Sequence, residues 1–213
     1  MSSLAAPSSS PSPRRVLVDV LSRPSSRARA LATDAALVAA GVAVVALLAK
    51  VSFFIGPVPI TGQTLGVILV GAALGSARGA ASLTSYMLLG LAGLPIFAGP
   101  IAGPAYVLSP SFGFILGFIP AAFLAGWFAE RAWDRRPVLA FVGFVTASIV
   151  PFLVGVPYMA LILATVVGSE ITFGSVMAAG VLPFIPGGIL KAAVAALLIP
   201  LVWRGVHALD TRR

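Results

Sequence analysis

The 213-residue sequence has no cysteine and a single histidine, His207, near its end. Disulfides, iron–sulfur clusters and thiol chemistry are thereby excluded. One imidazole supplies no transition-metal ligand set, so neither metal nor cofactor is expected. Charge is scarce too: 9% of residues are Asp, Glu, Lys or Arg, against about 25% in ordinary soluble domains. There are six acidic residues, and no two of them share an apolar run that could relay protons or sodium ions. GxxxxGK[ST] does not occur, so the chain does not cradle ATP phosphates by itself. With no histidine and carboxylate together in an apolar segment, a hydrolase triad cannot be assembled. The expectation is a protein that is not an enzyme and has no catalytic residues.

What is present is hydrophobic: 59% of residues are apolar and the mean hydropathy is +1.07. Such a chain cannot cover its own surface with polar groups in water. Its apolar runs are continuous, whereas a transmembrane β-barrel shows strands alternating apolar and polar. The fold class expected is all-α, a polytopic bundle of six transmembrane helices. Residues 1–29, rich in Ser, Pro and Arg, read as a disordered basic tail. Residues 30–205 read as the transmembrane domain, and 206–213 as a short tail.

Six spans are expected at about 31–55 (capped near Thr33–Asp34), 63–74, 80–94, 112–128, 138–167 and from 187 to 203–204. Pro-rich stretches, GPVPIT (56–61) and PIFAGPIAGPAYVLSP (95–110), separate them as loops. Residues 169–181 read as a short interfacial helix. The net charge of +8 comes from twelve arginines and two lysines. With six crossings, every arginine falls on one face, in the tails, at GSARG (75–79) or at ERAWDRR (130–136). The positive-inside rule makes that face, and both termini, cytoplasmic, as in a multi-pass bacterial cell membrane protein. No aromatic interleaving accompanies the arginines, so nucleic acid is not an expected partner.

Small residues recur four apart, as in Ala35/Ala39, Ala36/Ala40, Gly62/Gly66, Gly71/Gly75, Gly113/Gly117 and Ala192/Ala196. This spacing lets helices approach closely, either within the bundle or against another membrane subunit. On the opposite face lie Lys50, which can snorkel from the end of the first span, and three Pro/Gly-rich loops. Those loops carry sparse hydrogen-bonding groups: Thr61, Gln63, Thr64, Tyr106, Ser109 and Ser111. An apolar pocket with a few polar groups suits a small amphipathic ligand.

Lys191 stands in the otherwise uncharged run PFIPGGILKAAVAALLIP. A lysine at mid-bilayer costs about 2.5–3.5 kcal/mol. A helix start at Pro186–Gly187 places it one turn in, near the outer end. There it either snorkels to headgroups or offers a positive charge to a carboxylate beside a helix N-terminus.

VPITGQTLG (58–66), YMLLGLAGLPIFAG (86–99), SPSFGFILGF (109–118) and PFIPGGILKAAVAALL (183–198) together resemble the BioY family, in the family's order. Its members are biotin-binding S components of energy-coupling-factor (ECF) transporters. The resemblance runs from about Ala35 to Arg204. It implies a bundle that captures biotin from outside and works with a transmembrane coupling subunit and two ATPase subunits. It further implies substrate contacts from Thr61 and Gln63 (hydrogen bonds), Tyr86 and Phe97 (pocket walls) and Lys191 (charge). An AxxxA face on the first helix, here Ala35, Ala36, Ala39 and Ala40, resembles the docking face for the coupling subunit. The family's P-G-D-x-x-K motif has Gly188 here at its Asp position, its Gly-Tyr pair is Gly113–Phe114, and Gly62 replaces a Leu. Glu170 or loop groups then stand in for the Asp, or binding is weaker, or another small vitamin-like carboxylate is carried. The reading from a different class is a non-transporting membrane scaffold, which needs no ligand.

Overall fold

The computed structural model describes residues 16–21 and 26–210. Its main elements in chain order are α1 (Leu17–Leu21), α2 (Arg27–Lys50), β1 (Ser52–Phe53), β2 (Ile60–Thr61), α3 (Gln63–Leu74), α4 (Ser76–Leu91), α5 (Phe112–Glu130), α6 (Pro137–Thr165), α7 (Phe173–Gly180) and α8 (Phe184–Asp210). Four segments are long and apolar enough to cross a membrane: Arg27–Lys50, Phe112–Glu130, Pro137–Thr165 and one within Phe173–Gly205. Gln63–Leu74 is apolar but shorter.

The packing is inside-out relative to a soluble protein. Helix α5 lies at the centre, buried on nearly every side through Gly113, Phe114, Gly117, Phe118, Ala121, Ala122, Ala125 and Gly126. Large apolar side chains point outward instead: Val138, Val142, Ile149, Leu153 and Leu161 from α6, and Ile189, Leu190, Leu197 and Leu201 from α8. A surface of this kind is stable only against lipid. Close approach depends on glycine. A Cβ on Gly71 would lie 2.4 Å from the Ala122 carbonyl, and one on Gly117 would lie 2.6 Å from Pro151 Cα. The small-residue spacings therefore divide. The glycine pairs and the buried Ala192 and Ala196 serve internal packing, while Ala35, Ala36, Ala39 and Ala40 are exposed on α2.

Polar contacts gather the basic segments at one end. Arg78 bridges Asp19 at 2.7 Å and Asp34 at 2.8 Å, joining α1, α2 and α4. Glu130 Oε1 accepts from the Ser76 backbone N–H at 2.8 Å and its hydroxyl at 2.6 Å, fastening the α3–α4 turn to the end of α5. In the α5–α6 connection, Asp134 accepts from Trp203 Nε1 of α8 at 2.6 Å. Lys50, Thr61 and Lys191 lie at the other end, called here the lysine end.

Several boundaries differ from those expected. Ser26, not Thr33–Asp34, caps α2, its side chain accepting from the Arg29 N–H at 3.3 Å. Asp34 serves the Arg78 cluster instead. The first helix ends at Lys50, and the chain beyond it forms a two-residue antiparallel ladder, Ser52 opposite Thr61 and Phe53 opposite Ile60. Helix α8 begins at Phe184, so Lys191 sits two turns in. Pro186 falls in the first turn, where its missing N–H costs nothing. The turn from α3 to α4 is a single residue, Gly75, at φ +89°. Most of the expected unstructured tail lies outside the described residues; inside it, Leu17–Leu21 is helical and Val16 is buried. Helix α6 continues through Pro151 and Pro157.

Candidate functional site

At the lysine end, the β1–β2 connection folds over the starts of α3 and α8 and encloses a pocket. Val58, Pro59, Ile115, Phe118 and Pro151 give it apolar walls, and Thr61, Gln63, Thr64, Ser111 and Lys191 bring polar atoms into it. The polar groups form a connected set. Thr61 Oγ1 donates to Gln63 Oε1 at 3.0 Å and accepts from the Gln63 N–H at 3.2 Å. Gly62, between them, packs so close to α2 that a Cβ there would lie 2.8 Å from the Leu48 carbonyl. Gln63 Nε2 donates to the Tyr86 hydroxyl at 2.8 Å, and that hydroxyl donates to the Ile96 carbonyl at 2.9 Å.

The ammonium of Lys191 donates to the Thr61 carbonyl and, at 3.1 Å, to Thr64 Oγ1. Among the described residues, no carboxylate lines the pocket. A cation is thus held beside two neutral acceptors in apolar surroundings. Lys191 is half-buried, desolvating a charge without a counter-charge is costly, and an anionic ligand would lower that cost.

The expected site residues fall into three groups. Thr61, Gln63 and Lys191 come together as pocket lining. Tyr86 and Phe97 are fully buried one layer behind it, with ring centroids 5.4 Å apart. Tyr86 orients Gln63, and Phe97 packs on Gly90 and, at 4.2 Å between centroids, on Tyr106. Gly188 lies elsewhere, on a separate apolar cleft of about 340 Å³ between α6 and α8. Glu170 is exposed in the α6–α7 connection and lines none of these cavities. Lys50 is exposed at the end of α2, and its ammonium donates to the Pro95 and Phe97 carbonyls at 2.7 and 3.0 Å, pinning the 95–97 loop to that helix end. Of the aromatic wall, Phe114 was visible only as the residue at the family's Gly-Tyr position, and Phe152 and Phe184 were passed over. Adjacent prolines, Pro151 and Pro183, were the available signal.

A family model described as the BioY family matches residues 20–208. The chain belongs to the BioY family. Similar BioY proteins include "Biotin transporter BioY" of Rhizobium etli, 38% identical over 184 residues, covering 83% of this chain and 95% of that one. "Probable biotin transporter BioY" of Pyrococcus horikoshii is 37% identical over 167 residues, covering 78% and 94%. Among solved structures, the crystal structure of the S-component for biotin from an ECF-type ABC transporter superposes with a TM-score of 0.64. It is 23% identical, and the match covers 85% of this chain and 95% of that one. At that identity it shows that the BioY chain shares the fold of a membrane S component.

Proposed function

We propose that this BioY chain binds biotin at the lysine end of the bundle and delivers it inward as the S component of an ECF transporter. The observation that carries the reading is the Lys191 ammonium, set in an apolar pocket with neutral acceptors and no carboxylate. Biotin presents a carboxylate to that charge, a ureido group to Thr61 and Gln63, and an apolar bicycle to the surrounding walls. The names of the relatives support the ligand.

The topology proposed is six crossings with both termini cytoplasmic. Arg78, Arg131 and Arg135 lie at the same end as the contacts from α1 and the C-terminal part of α8, which the positive-inside rule assigns to the cytoplasm of a bacterial cell. The lysine end then faces outward, where a captured vitamin arrives. Because the chain has no phosphate-binding loop, ATP must be hydrolysed by partners: a transmembrane coupling subunit and two ATPases. The exposed Ala35, Ala36, Ala39 and Ala40 leave a smooth face on α2 for the coupling subunit.

The alternative ligand is another small vitamin-like carboxylate, because Gly188 stands at the family's Asp position and lies on the α6–α8 cleft rather than in the pocket. Equilibrium binding of biotin to the purified protein, with competition by other small carboxylate vitamins, separates the readings. Biotin is expected to bind saturably and to outcompete the others. Saturable binding of another carboxylate alone identifies the second ligand, and no saturable binding of any identifies a scaffold.

A further inference from the structure

The pocket that holds Lys191 has a volume of about 40 Å³. That is room for about one to three waters, whereas pockets for small organic ligands measure about 300–1,000 Å³. The polar groups and the space are therefore in different places. Two larger cavities adjoin the pocket. One is the cleft of about 340 Å³ between α6 and α8. The other, about 410 Å³, lies between the β1–β2 connection and α7, lined by Ile55, Pro57, Val58, Ile60, Ala178 and Ala179 among others. Both are nearly devoid of recognition groups.

One side chain, Phe184, lines all three cavities. Its ring stacks on Phe114 (centroids 6.2 Å apart, 26° between planes) and meets Phe152 edge-on (5.8 Å, 68°). It belongs to the first turn of α8, directly after Pro183, and is only partly buried. Gly188 lies one turn further along α8 on the α6–α8 cleft, and a Cβ there would meet nothing within 4 Å. A helical side chain covers the turn N-terminal to its own Cα. A bare glycine at 188 therefore leaves open the surface beside Phe184.

We propose that Phe184 is the gate of the ligand pocket: its ring swings off Phe114 and Phe152 into the α6–α8 cleft over Gly188. The movement joins the polar pocket to the cleft beneath the β1–β2 connection. The ligand enters from that cleft, and its apolar ring system takes the place the phenyl ring has left. Gly188 is then a clearance position for the gate. The proposal rests on the reading of this pocket as the ligand site, but its test requires no ligand.

The chain has no cysteine, so Ser111→Cys, in the pocket and 8% exposed, gives a single thiol inside the gate. Its rate of reaction with a methanethiosulfonate reagent in detergent reports opening. Phe184→Ala on this background is expected to speed labelling at least about tenfold, since a minor open state is populated at about a tenth or less. Gly188→Leu, which enters open space and leaves the fold intact by thermal melting, is expected to slow labelling. Unchanged rates in Gly188→Leu, or in a folded Phe184→Ala or Phe184→Leu variant, overturn the gate. Protection of the same thiol by biotin tests the ligand separately. Labelling that obeys the gate while biotin gives no protection retains the gate and rejects biotin.

Discussion

At the scale of single residues, charge and its surroundings decide what each group can do. Lys191 and Asp134 are opposite ions in different settings. Lys191 keeps two neutral acceptors in a small, mostly apolar pocket. Asp134 is 1% exposed, and its Oδ1 has no hydrogen-bond partner among the described residues. Burial pushes the Asp134 carboxyl up to about 6, opposed by the Trp203 N–H and by Arg135, whose guanidinium lies 4.4 Å from the Trp203 ring centroid. Its folded value is above the unfolded one, so the native state holds the proton more tightly. The resulting penalty is absent well below the ordinary value of 3.8 and grows as pH rises from there to about 6. Asp134→Asn keeps an oxygen for Trp203 without the ionisation. In detergent melts it is expected to match the wild type at about pH 3 and to exceed it at pH 7 by up to about 2–3 kcal/mol. A difference independent of pH would contradict this. The sequence showed Lys191 plainly, because a lone charge in an apolar run stands out. Asp134 could not be distinguished there from a solvated loop residue, since only the tertiary fold brings Trp203 onto it.

At the scale of elements, the contrast between two glycines tests the packing account. A Cβ on Gly117 would press on the α6 backbone, whereas one on Gly188 enters open space. Gly117→Leu should lower stability by about 1–3 kcal/mol or prevent folding, while Gly188→Ala should melt within about 0.5 kcal/mol of the wild type; equal effects would refute the distinction. The helices themselves were legible because apolar runs ended by Pro and Gly mark their lengths, and α3 has the bounds expected. Their starts were less so. Thr33–Asp34 has the chemistry of a cap but sits within a helix that Ser26 begins about two turns earlier, and Asp34 pairs with Arg78 instead. The β1–β2 ladder was hidden, β1 inside the expected first span and β2 in a Pro-rich loop, since two residues a side carry no alternation to read. The same holds for the site. Its polar groups came from positions the motifs identified, but the Phe114–Phe152–Phe184 wall joins three separate helices, and only Phe114 stood in a motif.

At the scale of the whole molecule, two surfaces carry the proposed transport cycle: the pocket at the lysine end and the alanine face of α2. They are separate, so they should fail separately. Ala39→Trp puts a large ring on the exposed face without touching the pocket. It should leave biotin affinity unchanged and abolish uptake in cells that supply the coupling and ATPase subunits. Loss of both would show that the face is part of the fold or the site.

The central claim, that Lys191 receives the ligand's carboxylate, is tested most directly by a two-by-two binding cycle. Equilibrium binding of biotin and of biotin methyl ester is measured on the wild type and on Lys191→Ala. A charge-assisted hydrogen bond is worth about 1.5–3 kcal/mol, so the wild type should prefer the free acid by about tenfold or more. Lys191→Ala should bind both forms weakly and equally. A Lys191→Ala protein that still prefers the free acid by the wild-type factor would contradict the account.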